Sequence, residues 1–128
     1  MTNEDDRLNK GRALAARLFK GAPRSRPMGR EMTGHTMAHL FGDVWQGEGL
    51  ETEERSLITC AVLTAMGKDA ELRLHIRGAR NLGIERSKLE AMMNHVAHYA
   101  GWPNGVSALR TLDEVWEQMD AESPGSHA

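Results

Sequence analysis

A single cysteine, Cys60, is present in 128 residues, so neither an internal disulfide nor a dithiol redox pair within one chain is available. Aromatic residues are scarce, with two Phe, one Tyr and three Trp, and the alternating apolar-polar runs of half-buried strands are missing. No apolar stretch approaches bilayer length. Neither sign of charge dominates: the formal net charge of −2 supplies no pull toward nucleic acid or an anionic membrane. Met1 to Asp6 is acidic rather than a basic lead into an apolar run and does not read as a secretory signal. Together these absences predict a cytoplasmic protein with neither nucleic acid nor membrane as partner.

What is present is ordinary globular composition, 40% hydrophobic and 27% charged, in a chain long enough to bury one core unaided. Apolar residues recur at helical spacing almost throughout, which predicts an all-α domain of six helices over residues 1–119, followed by a flexible tail over 120–128. The first helix runs from about Glu4 to Phe19. A loop rich in Gly and Pro follows, from Lys20 to Gly29. The second helix covers about Arg30 to Gln46 and is closed by Gly47-Glu48-Gly49. The third starts near a Thr52 cap and is apolar all round from Leu57 to Met66, which predicts the buried central element. Asp69 to Leu82, Ser87 to Ala100 and Asn104 to Met119 complete the set, with Gly83 and Gly101 as stops. An all-apolar third helix and eight Met residues suggest more apolar face than one small domain covers, hence an oligomer.

The densest titratable cluster is Glu71-Leu-Arg-Leu-His-Ile-Arg77. Glu71 and His75 share one helix face, and Arg73 and Arg77 share another. A carboxylate beside an imidazole can set up proton transfer near neutral pH; the same spacing also makes a plain surface ion pair with two solvated arginines. His35 and His39, four residues apart, resemble half a zinc site, but no His-Glu-x-x-His motif accompanies them and no metal is expected. His95, His98 and Tyr99 line the same cavity or fill a helix seam. Cys60, inside an apolar run, reads as a small core residue, and Trp45 and Trp102 beside Gly breaks wall a pocket or simply pack.

The strings His39-Leu-Phe-Gly-Asp-Val-Trp45, Gly49-Leu50, Arg55-Ser-Leu-Ile-Thr59, Glu71-Leu-Arg-Leu-His-Ile-Arg77 and Tyr99-Ala-Gly-Trp-Pro103 together resemble the 4-carboxymuconolactone decarboxylases in order and spacing. The resemblance implies a six-helix alkylhydroperoxidase-D-like fold assembled as a trimer or hexamer. The peroxidase branch of that fold carries Cys-x-x-Cys-x-x-x-His; here the cysteine positions are Lys68 and Glu71, with His75 retained, so dithiol peroxide reduction is excluded.

The decarboxylase branch implies cofactor-free loss of carbon dioxide from a carboxylated lactone in aromatic-acid catabolism, the β-ketoadipate route. The lactone carbonyl itself accepts the electrons. The protein then has to supply an oxyanion donor, a cation for the side-arm carboxylate, a dry cavity and a proton donor. By resemblance His39 and His75 are the candidates for donor and acid, with Glu71 as orienting or proton-sharing partner. Arg73 or Arg77 holds the carboxylate, and Trp45, His95, His98, Tyr99 and Trp102 line the substrate pocket. Arginine and His75 leave α-helix four on different faces, so an interfacial site is expected.

His95, His98, Leu82 and Trp102 depart from the family pattern and open the substrate question. One rival reading keeps the His-Glu pair for isomerisation, dehydration or lactone opening. Another is a non-catalytic oligomeric binding protein, which predicts His39 and His75 apart.

Overall fold

The computed structural model describes residues 3–24 and 26–122. Among them every regular element is helical: α1 (Asn3–Leu18), α2 (Arg30–Gly34, continuing as a π-helix over His35–Val44), α3 (Thr52–Met66), α4 (Asp69–Asn81), α5 (Arg86–Ala100) and α6 (Trp102–Glu122). Acidic residues open α1, with Glu4, Asp5 and Asp6 in its first turn, where they favour the positive end of the helix dipole. At α3 the cap is Glu51 rather than Thr52: its backbone N–H donates to Glu54 Oε1 at 2.8 Å, so the carboxylate reaches back over the first turn. Gly67 ends α3 in the left-handed region, φ 68°.

The π-helical stretch is the main departure from the expected second helix. The Trp45 N–H bonds Leu40 C=O at 2.9 Å, five residues back, and the wider turn changes which residues share a face. It accompanies a very close crossing with α1. A Cβ on Gly11 would lie 1.6 Å from the Met37 carbonyl oxygen, and one on Gly42 would lie 2.3 Å from that of Arg7, so backbone meets backbone and only glycine fits.

Burial falls into two clusters rather than the single core expected. Leu14, Ala15, Leu18, Phe41 and Trp45 pack between α1 and α2. Cys60, Leu72, Ile76, Leu89, Met93, Leu112 and Val115 are among the residues that join α3 to α6. Helix α4 links the two, with Gly78 against Leu18 and Asn81 Nδ2 donating to Leu18 C=O at 2.8 Å.

Two expectations fail on tertiary grounds. The third helix is not buried all round: its core stripe is Ser56, Cys60 and Thr64, while Ile58, Val62 and Met66 are 47%, 50% and 61% exposed. The neighbours α4, α5 and α6 cover one side of it, and the other stays open in the single chain. Nor does the last helix stop at Met119. It continues to Glu122 because Arg77 grips Glu122 through two 2.8 Å hydrogen bonds and Arg80 reaches Asp120 at 2.6 Å. The remainder of the expected tail, 123–128, lies outside the described residues.

Candidate active site

Helix α4 sends its functional side chains in two directions. Arg73, Arg77 and Arg80, at helical spacing, turn to α6 and pair with Glu114, Glu122 and Asp120. Arg77 is 4% exposed, and the Glu122 carboxylate raises its pKa above the ordinary value. Arg73 and Arg77 border a cavity of about 260 Å³ with Arg24, Leu74 and Gln118. Both expected carboxylate anchors are thus already engaged with carboxylates of their own chain, because α6 runs alongside α4 with acids in register.

His75 turns the other way, into aromatic surroundings. The Phe19 ring meets it edge-on with centroids 5.4 Å apart and planes at 87°, and the Trp45 indole stacks on it at 6.3 Å and 21°. Phe41 contacts both Phe19 and Trp45, so one aromatic cluster walls two sides of the imidazole, which stays half-buried. Burial pulls the His75 pKa down to about 4, and the Glu71 charge one turn earlier only partly opposes this. His75 is therefore neutral at pH 7. Glu71 is exposed and acts on His75 through its charge. Among the described residues no hydrogen bond joins the two.

His39 belongs to a separate network. Its Nδ1 lies 3.2 Å from Asp43 Oδ2, and Asp43 is gripped from α1 by Arg7 Nε at 2.8 and 2.9 Å. The Arg7 hydrogen bond first, with a further contribution from His39, holds the Asp43 carboxyl below its usual range against the opposing effect of burial. A cavity of about 420 Å³ lies beside this network, bordered by Arg7, Arg30, Glu31, His35 and His39. His39 and Phe41 are two residues apart on one helix and so point to nearly opposite sides. Phe41 belongs to the cluster around His75, so within one chain the two imidazoles do not converge.

The remaining candidates sit on the outer face of α5 and the start of α6. His95 packs against Tyr99 with centroids 5.1 Å apart, and His98 against Trp102 at 5.0 Å. Tyr99 and Trp102 are 83% and 60% exposed, and the ring contacts of His75 are with Phe19 and Trp45 rather than with any of these four. His35 is exposed beside Glu31 at 3.7 Å. Among the described residues no group of three or more His, Cys, Asp or Glu side chains is placed to hold a metal ion. Cys60 is fully buried, and its thiol is pushed up to about 12, which keeps it protonated and unreactive. No described helix is long and apolar enough to cross a membrane.

Sequence reasoning missed Phe19, which it read only as the end of a helix, and Arg7, Asp43 and Arg55. Arg55 Nη2 donates to the Gly47 and Glu48 carbonyls at 3.0 and 3.3 Å and holds the turn that follows Trp45. For Asp43 the i,i+4 spacing from His39 was a readable signal. Phe19 had none, because a chain reversal brings it to α4.

The all-helical order of elements is that of the alkylhydroperoxidase-D-like class. Residues 30–114 match the carboxymuconolactone decarboxylase family, and the chain belongs to it. Over 79 residues it is 38% identical to the 4-carboxymuconolactone decarboxylase of Acinetobacter baylyi, covering 62% of this chain and 59% of that protein. Over 88 residues it is 31% identical to the nitrosuccinic acid decarboxylase of Metarhizium robertsii, covering 66% and 62%. The match spans less than two thirds of the length of either relative. The family match begins at residue 30, so α1, the source of Phe19 and Arg7, lies outside it.

Proposed function

We propose that the protein is a carboxy-lyase acting on a small acid that carries its own electron sink, with 4-carboxymuconolactone as first choice of substrate. The observation that carries this is His75, a half-buried imidazole held between the Phe19 and Trp45 rings and uncharged at neutral pH. In such a lactone the bond to the carboxylate breaks, carbon dioxide leaves, and the electron pair moves through the ring to the lactone carbonyl. A neutral N–H of His75 donates to the oxygen as it becomes negative, where low local polarity strengthens the hydrogen bond. The ring carbon then takes a proton, giving the enol-lactone. His39, with its Nδ1 side held by Asp43, is suited to deliver that proton once a second copy brings it near His75.

Nitrosuccinate, the acid named for the second relative, favours one further reading. A nitro group accepts the electrons as a lactone carbonyl does, so the same site serves a nitro acid without new machinery. Because the sink lies in the substrate in both cases, purified protein treated exhaustively with chelator is expected to keep its turnover. Assays on the lactone and on nitrosuccinate before and after chelation check this. Activity lost on chelation and restored by one metal rejects the cofactor-free reading, and turnover of neither acid rejects the substrate class.

The assembly we propose is a homotrimer or hexamer in the cytoplasm. Ile58, Val62 and Met66 form a ridge at i, i+4 and i+8 on α3, and each is about half exposed or more; a row of large apolar residues of this kind is the mark of a contact surface. Val62→Glu is expected to leave the helical content intact and to convert the assembly to monomer with loss of turnover, read by light scattering and assay. An unchanged oligomer with full activity removes the shared-site argument.

A further inference from the structure

The reading of His75 as the reacting group leaves open what holds it. Its ring makes contact with two aromatic side chains that each stand just past the end of a different helix, at nearly perpendicular and nearly parallel angles. The Trp45 indole is delivered by the π-helical turn, whose last hydrogen bond is Trp45 N–H to Leu40 C=O, and is buried against Phe41. Phe19 stands one residue past the end of α1 and packs on Phe41 as well. A ring packed on its face and its edge by two neighbours that are both braced on Phe41 has little freedom to rotate.

We propose that Phe19 and Trp45 are positioning residues that clamp the His75 ring in one plane and shield it from water on the two sides they cover. This rests on the proposed role of His75 and adds residues of α1 and α2 to it, Phe19 lying outside the family match. Of the three elements packed here, α4 contributes Glu71, whose charge favours the protonated ring, whereas α1 and α2 contribute uncharged rings that favour the neutral one. The clamp therefore decides the protonation state as well as the orientation, and loosening it admits water and lets the ring charge.

The test is a pH titration of the histidine ring signals by NMR in the wild type, Phe19→Leu, Trp45→Leu and Trp45→Phe, with the His75 signal assigned by its loss in His75→Gln. Turnover on the lactone is measured alongside. Each leucine variant is expected to raise the His75 midpoint by about one unit or more and to lower kcat by about tenfold with less change in KM. Trp45→Phe should restore most of both. An unchanged midpoint in folded Phe19→Leu and Trp45→Leu overturns the proposal. Should either leucine variant fail to fold, magnetisation transfer between the His75 ring protons and those of Phe19 and Trp45 in the wild type decides, and its absence overturns the clamp. A raised midpoint in a protein that turns over neither acid supports the clamp while rejecting the decarboxylase reading.

Discussion

His75→Gln is expected to fold and assemble normally and to lose at least about 100-fold in turnover, with a smaller change in substrate affinity. The amide approximates the imidazole in size and keeps a donor, so packing survives better than chemistry does. A residue that only filled the aromatic cage would show the reverse, a lower melting temperature at full turnover. The pH behaviour gives a second check. Folded His75 protonates near 4 and the unfolded residue near 6.5, so between these values the unfolded chain binds the proton that the folded chain refuses. The stability contributed by the neutral ring is fully present above about pH 6.5 and falls as pH drops toward 4. The fall amounts to on the order of 3 kcal/mol and is absent from His75→Gln. Denaturant titrations of both proteins across that window measure it, and parallel curves would remove His75 from the assignment. Glu71→Gln deletes the charge that raises the His75 pKa, so it should move the acid limb of the rate profile to lower pH with only a mild loss of turnover.

Gly11→Ala and Gly42→Ala are expected to destabilise the fold by about 3 kcal/mol or more each, at the upper end for added volume in a packed contact. The neighbour in each case is a backbone carbonyl oxygen, at 1.6 Å from the added carbon for Gly11 and 2.3 Å for Gly42. A carbonyl inside a helix cannot rotate away as a side chain can, so α1 and α2 must separate. Separation also withdraws Phe19 and Trp45 from His75, and the surviving folded fraction should show a raised His75 midpoint. Thermal melts and the same NMR titration test both effects. Gly34→Ala serves as a control, since a Cβ there meets nothing within 4 Å. Melting temperatures unchanged at Gly11 and Gly42 would show that the crossing is looser than described.

Local chemistry made the helices readable. Gly67, Gly83 and Gly101 each adopt positive φ at a helix end, and a residue without a Cβ marks such a position in any sequence. The core face of α6, with Leu112, Val115 and Met119 buried, follows from 3.6-residue spacing alone. Hydrophobicity did not reveal which apolar residues are covered. Ile58 and Val62 belong to the same apolar run as Cys60, yet Cys60 is buried and they are exposed, because coverage depends on where α4, α5 and α6 arrive.

The sequence alone determined an all-helical chain of the carboxymuconolactone decarboxylase family, with His75 and Glu71 on one face of α4 and no dithiol chemistry, since periodicity, glycine stops and motif spacing are properties of neighbouring residues. Tertiary structure decided which partners those side chains meet. It spent Arg73 and Arg77 on Glu114 and Glu122, tied His39 and Arg7 to the same Asp43, and set Phe19 and Trp45 against His75. Burial of His75 in the folded chain outweighs the one charge that lies close in sequence and keeps the ring neutral.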